Sequence, residues 1–224
     1  MDALITNVPG YCVCVTTADC VPVLLYDKKQ HVVAAVHAGW KGTVKHIVSH
    51  VMDNMTQKFG TQGEDVIACI GPSISLESFE VGDEVYDAFE ESGFDMSLIS
   101  MKKKETGKYH IDLWEANRIE LLNRRVPAEQ IEVAGICTYI HHDEFFSARR
   151  LGIDSGRTLS GIMIVYNWEH SLNASFTIDG VTYQLEKNDN GKNNLHSGPN
   201  FYRTRVWDVA EIDAEKNSIT FSIK

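Results

Sequence analysis

The sequence has no run of apolar residues long enough to cross a bilayer, which takes about 20 in succession, so a membrane-spanning helix is not expected. Basic residues are scarce. Lys and Arg number 21 against 31 Asp and Glu, a formal net charge of −10, whereas nucleic acid and anionic membranes both need a basic face. Neither is an expected partner, although an acidic surface still leaves room for a local basic pocket that holds phosphate. The N-terminus lacks a basic segment followed by an apolar run, so no signal peptide is read there. The cysteines, Cys12, Cys14, Cys20, Cys69 and Cys137, are odd in number and irregular in spacing. That argues against a disulfide framework and for a reducing compartment. These absences together predict a cytoplasmic, soluble protein. No internal repeat or low-complexity segment is found.

What is present is apolar residue in quantity: 43% of 224 residues, enough to bury the core of one large domain or of a domain with an appendage. Tyr11 to Thr16, Val21 to Tyr26 and His31 to Val36 read as buried strands, separated by turns such as Asp27-Lys28-Lys29-Gln30. A helix starts within Gly39 to Thr43. It carries Val44, Ile47, Val48, Val51, Met52, Met55 and Phe59 on one face and stops near Gly60. Val66 to Ile70 is a strand ended by Gly71-Pro72. Val81 to Phe89 reads as a second helix. Asp112 opens a third, with Glu115 at capping-box spacing. Ile131 to Tyr139 and Leu159 to Val165 complete the strands. This alternation predicts an α/β domain. After Val165 helical periodicity is lost, and Asp179-Gly180 signals a hairpin. The expected division is a domain over 1–165 and a β-rich appendage over 166–224.

Three groups of residues carry possible chemistry. Thr17-Ala18-Asp19-Cys20 and His37-Ala38-Gly39-Trp40-Lys41-Gly42 each lie at a strand end, where α/β proteins place their sites. Cys20 and His37 suit zinc or copper; a buried thiol and a capping imidazole are the plain alternative. Gly71-Pro72-Ser73-Ile74 could bring backbone N–H groups to an anion, or it is an ordinary strand-to-helix turn. Phe145-Phe146-Ser147-Ala148-Arg149-Arg150 with Gly156-Arg157 could clamp a phosphate or stack on a base, or lie solvated. On a strand, Arg149 and Arg150 would point to opposite faces, so one at most enters a pocket. Cys137 reads as a nucleophile or a buried small thiol. His141-His142-Asp143-Glu144 reads as a solvated turn.

Taken in order from Asp2-Ala3-Leu4 through these motifs, Phe79-Glu80-Val81-Gly82 and Cys137-Thr138-Tyr139 to Arg157, the sequence resembles the laccase-domain family, also described as polyphenol-oxidase-like. The resemblance implies a layered α/β/β/α sandwich with mixed sheets. It implies phosphorolysis of adenosine, inosine and methylthioadenosine, and adenosine deamination; oxidation of phenols has also been attributed to the family. It assigns metal binding to Cys20 and His37, where zinc, or alternatively copper, would sit. A second family histidine, in a Q-V-H-G motif, has no counterpart, which reads as a member shortened at its N-terminus. Asp2 matches a family aspartate. Asp2, Gly71, Arg149, Arg150 and Arg157 are the expected substrate contacts.

Residues from Phe176 to Trp207 resemble the N-terminal segment of aldose 1-epimerases. They read as a fusion fragment without mutarotase activity. The leading expectation is a metal-dependent purine nucleoside phosphorylase and adenosine deaminase acting on small molecules. A copper polyphenol oxidase is the second reading, weakened by nine scattered histidines without an H-x-H pair. An inactive truncated remnant is the third. For the vacant ligand position, Cys12, Cys14, His31, Cys137, His141 and His142 are candidates. Cys12, Cys14 and Cys20 share a parity, so a regular strand would aim all three at one face, but a straight strand puts Cys14 roughly 20 Å from Cys20. Cys137, His142 or water is easier, and a weak site with two protein ligands is expected.

Overall fold

β-branched and small apolar residues dominate the first 38 positions, and they form strands there. The computed structural model describes residues 2–152, 154–164, 175–178, 181–184, 187, 207–213 and 218–223. Strands β1 (Ala3–Thr6), β2 (Cys12–Thr17), β3 (Val21–Asp27) and β4 (Val32–Ala38) lead into helices α1 (Trp40–Val44) and α2 (Ile47–Phe59), then β5 (Val66–Ile70). The turn between β3 and β4 is built as its sequence suggests: the Asp27 carboxylate accepts from the N–H groups of Lys29 and Gln30. Helix α2 stops at Gly60, whose φ of 76° is the left-handed value that glycine tolerates best.

Beyond β5 come β6 (Glu80–Val81), α3 (Asp83–Glu91), α4 (Met96–Ile99), β7 (Ser100–Lys102), β8 (Tyr109–Ile111), α5 (Leu113–Asn123), β9 (Ile131–Val133), α6 (Ala148–Leu151) and β10 (Thr158–Met163). The expected cap of α5 is present, with Asp112 accepting from Glu115 N–H at 3.0 Å.

The main sheet runs β1-β4-β3-β5-β9. Its pairs are antiparallel except β5/β9, which is parallel. Alternation sends Val21, Val23 and Leu25 of β3, with Val32, Ala34 and Val36 of β4, to one face. There they pack on Val48, Val51, Met52 and Met55 of α2 and on Leu113, Ala116 and Leu121 of α5. Each such fully buried side chain stabilises the fold by roughly 1.5–3 kcal/mol. The other face presents Leu24, Tyr26, Val33 and Ala35 to Val13 and Val15 of β2 and Ile162 of β10. Strands β2 and β10 form an antiparallel ribbon of six residues each. Helices, five-stranded sheet and ribbon thus stack as layers of an α/β fold whose sheets are mixed. Burial of both faces of β3 and β4 explains their nearly unbroken apolar sequences.

Four details differ from the sequence expectation. The first helix is two, because His46 adopts φ 56° between them. Its ring is held by Glu120, 2.7 Å from Nδ1, and by Ser92 O, and it stacks on Phe94. Partners distant in sequence therefore override local helical periodicity. The second helix begins at Asp83, because Glu80 and Val81 pair with β8. Ile131 to Tyr139 keeps only three strand residues, and Gly135 then turns at φ 66°. The hairpin of β7 and β8 had no strong periodicity to announce it.

The chain divides into two compact units, Met1–Ile164 and Val165–Lys224. In the second, β11 (Ser175–Ile178) pairs with β12 (Val181–Gln184), and β13 (Trp207–Asp213) with β14 (Ser218–Ile223). Ile178 faces Val181 across the first pair, so two residues connect these strands. The expected turn, Asp179-Gly180, itself lies outside the described residues. No described helix is long and apolar enough to cross a membrane.

Candidate functional site

The turn from β2 into β3 places Cys20 one step ahead of β3, and pairing puts Pro22 opposite His37 of β4. The start of one strand therefore meets the end of its neighbour. A Cβ built on Gly39 would lie 2.9 Å from Cys20 Sγ and 3.6 Å from His37 Nε2. Both donor atoms hang over the same glycine, in a cradle that any larger residue would fill. This is the pair the sequence singled out. Sulfur and imidazole nitrogen are a donor set for zinc or copper. Among the described residues no group of three His, Cys, Asp or Glu side chains comes together to hold a metal, and the cradle itself brings two such donors together, Cys20 and His37. Burial pushes the Cys20 thiol up, the Asp19 charge adds to this, and the Arg157 charge opposes it.

Asp19, beside Cys20 in its motif, ties the site together. It adopts φ 78°, a conformation that aspartate tolerates better than most residues. Its carboxylate is buried, accepting from Thr138 Oγ1 at 2.8 Å and from Arg149 N–H at 2.7 Å. Its carbonyl accepts from Ile74 N–H. One residue therefore joins the segments that hold Cys20, Gly71, Thr138 and Arg149. Aspartate at a tight strand reversal was the available signal. Ser73 adds a second tie. It bridges to Cys137 along the backbone, and its hydroxyl accepts from Trp114 Nε1–H at 2.5 Å.

The arginines do not lie on a strand. Arg149 and Arg150 belong to α6, whose first turn is capped by Ser147 accepting from Arg150 N–H. They reach different neighbours. Arg149 donates to Glu80 O at 2.8 Å and lies over the Phe79 ring, whereas Arg150 lies over the Tyr139 ring. Arg157 donates to Ser155 O and Gly156 O.

The expectation that the Gly71 turn offers N–H groups to an anion is corrected. Gly71 N–H donates to Pro22 O, Ser73 N–H to Ile136 O and Ile74 N–H to Asp19 O. Glycine is required at 71 for packing instead, since a Cβ would approach Pro22 Cγ to 2.9 Å. Asp2 contributes its carbonyl, which accepts from His37 N–H at 2.7 Å and so extends the β1/β4 pairing to the cradle.

Cys137 is buried against the same turns. Burial alone would raise its thiol, but hydrogen bonding at the sulfur, with Ser75 and Ser78 and from the N–H groups of Ser75 and Ile140, outweighs it and holds the thiol below the ordinary range. The Ser75 N–H lies 3.3 Å from Sγ. The His141 to Glu144 segment is a turn on the surface.

Comparison with known proteins follows the same outline. Residues 1–165 match the family described as multi-copper polyphenol oxidoreductase laccase, and residues 171–224 match the aldose 1-epimerase family. A purine nucleoside phosphorylase of Bacteroides thetaiotaomicron is 69% identical over 164 residues, covering 73% of this chain and 61% of the relative. Adenosine deaminase RL5, from an unknown prokaryotic organism, is 46% identical over 162 residues, 72% of this chain and 62% of its own length. The crystal structure of YlmD from Geobacillus stearothermophilus superposes with a TM-score of 0.69 at 32% identity, covering 74% of this chain and 61% of that one. Bacillus licheniformis hypothetical protein YfiH gives 0.68 at 34% identity, covering 73% and 61%. The chain spans about three-fifths of the length of these relatives.

Proposed function

Since the chain belongs to the multi-copper polyphenol oxidoreductase laccase family over residues 1–165, we propose that it is a metal-dependent purine nucleoside phosphorylase with adenosine deaminase activity, working at the Cys20–His37 cradle. The observation that carries this reading is the convergence of Cys20 Sγ and His37 Nε2 over Gly39. The relatives named phosphorylase and deaminase support it. Zinc is the proposed metal and copper the alternative. Bound by Cys20 and His37, it would supply a Lewis acid.

The remaining chemistry is assigned to this chain's own groups. In phosphorolysis a phosphate oxygen bonds to the ribose anomeric carbon as the bond to the purine breaks, giving ribose 1-phosphate and free base. The phosphate has to be held and its charge offset through an oxocarbenium-like transition state. Arg157 is the first candidate, because its charge already reaches the cradle. Arg150, over Tyr139, and Arg149, over Phe79, are the other candidates, exposed cations beside aromatic faces. In deamination water replaces the 6-amino group, releasing ammonia and leaving inosine. Adenosine, inosine and methylthioadenosine are the proposed nucleosides, and the cytoplasm is the proposed compartment. Nucleic acid and membrane are not proposed as partners. Residues 166–224 are proposed to be a separate, non-catalytic unit.

The test is an assay of folded, metal-replete protein with adenosine and phosphate, separating products chromatographically. Ribose 1-phosphate or inosine is expected; neither product would overturn the proposal. Phenol oxidation is a second reading, favoured by the donor set and the family's description. Stoichiometric zinc with no copper, after expression in medium holding both, counts against it.

A further inference from the structure

Strand β2 carries two cysteines two residues apart, and alternation turns both side chains to one face. Cys12 Sγ and Cys14 Sγ are 3.3 Å apart. Cys12 is exposed and Cys14 half-buried. Across the ribbon, Gly161 of β10 lies opposite Cys14. A Cβ there would come within 2.5 Å of Cys14 Sγ and 3.1 Å of Cys12 Sγ, so this glycine leaves the space the two sulfurs share. We propose that Cys12 and Cys14 form a chelating dithiol, separate from the Cys20–His37 cradle, that takes a trivalent thiophilic metalloid of the arsenical class.

The spacing suits the acceptor. With sulfur–acceptor bonds of about 2.3 Å, a 3.3 Å separation subtends about 90° at the bound atom. Tetrahedral zinc would need the sulfurs about 3.8 Å apart, and a linear two-coordinate ion about 4.6 Å. Trivalent arsenic is pyramidal, with bonds near right angles, and fits the pair as it stands. A disulfide fits less well. Two residues along a strand separate their Cα atoms by about 6.6 Å, at the upper limit of disulfide geometry near 6.8 Å, so closure would pull against the ribbon. Burial, then the hydrogen bond with Cys12 and its charge, raise the Cys14 thiol. The pair therefore holds its protons until an acceptor displaces them. With an arsonous acid, two As–O bonds break and two As–S bonds form. The two thiol protons leave with the hydroxides as water, and no atom changes oxidation state.

The experiment treats the full chain with phenylarsine oxide and reads intact mass after a glutathione chase. One phenylarsenic unit is expected to survive the chase and to be removed by 2,3-dimercaptopropanol. Cys12→Ser and Cys14→Ser should each weaken retention on the order of a hundredfold, since the second thiol acts at high effective concentration. Cys20→Ser should leave it intact. Gly161→Val keeps both thiols but pushes them apart, and should also lower retention. A glutathione-resistant adduct that persists in Cys12→Ser or Cys14→Ser overturns the proposal. So does one that is absent from the unaltered chain or indifferent to Gly161→Val.

Discussion

Replacing Asp19 with asparagine keeps the side chain's shape and a residue that accepts φ 78°, but it removes the charge and puts an NH2 where an oxygen was. Two donors meet this carboxylate, Thr138 Oγ1 at 2.8 Å and Arg149 N–H at 2.7 Å. A hydrogen bond to a charged group contributes about 1.5–3 kcal/mol and a neutral one about 1. Asparagine can keep both contacts, its Oδ1 accepting from Arg149 N–H and its NH2 donating to Thr138 Oγ1, but both bonds are then neutral. The expected loss is about 2 kcal/mol. For a unit of this size that is roughly 4–8 °C in melting temperature. Urea unfolding is the assay, fitted to the transition of the first unit alone, since two units need not unfold together. Hydrogen exchange at the Arg149 amide provides a local readout. Thr138→Val combined with Asp19→Asn should show coupling of about 0.5–3 kcal/mol. A loss below about 0.5 kcal/mol, with Arg149 exchange unchanged, would refute the view that Asp19 ties these segments together.

Cys20→Ser and His37→Ala should each abolish zinc binding, read by titration calorimetry with zinc present throughout, whereas Cys14→Ala should not. Gly71→Ala should destabilise by about 1–3 kcal/mol through overpacking against Pro22, seen in the urea midpoint. The Cys137 thiol is held below its ordinary value. Its ionised form therefore favours the folded state, by an amount fully present above the unfolded value near 8.5 and lost as pH falls through the lowered folded one. The stability advantage over Cys137→Ser should grow from pH 6 to about pH 9, and a difference flat with pH would count against the assignment. Trp114→Phe should loosen the Ser73 turn and cost about 1 kcal/mol, the net contribution of one hydrogen bond.

What was legible in the sequence was what local chemistry dictates. Strand β5 falls where its apolar run lies, α2 ends at Gly60, and Asp112 caps α5, because each depends on residues within a few positions. The cradle was legible too, as two motifs at strand ends, though only pairing of Pro22 with His37 makes them neighbours. The rest was set by partners far away in sequence. The break at His46 depends on Glu120, Ser92 and Phe94. Arg149 and Arg150 looked like strand residues until Ser147 capped a helical turn beneath them. Gly71 carried the mark of an anion loop, yet its N–H was already satisfied by Pro22, a contact that composition cannot reveal. Asp19 was visible as a turn residue, but its two partners lie 119 and 130 positions downstream.

That separation also sets an order of events during synthesis. At about 5–20 residues per second, Arg149 leaves the ribosome roughly 6–26 s after Asp19. His37 and Gly39 follow Cys20 almost at once, and their strands pair locally. The Cys20 thiol and the His37 ring can therefore meet while the carboxylate next to them still waits for both of its donors. A nascent chain passes through a stage in which the cradle is formed but its supporting turns are not. Metal capture at that stage would precede, and could template, the closing of the segments that surround it.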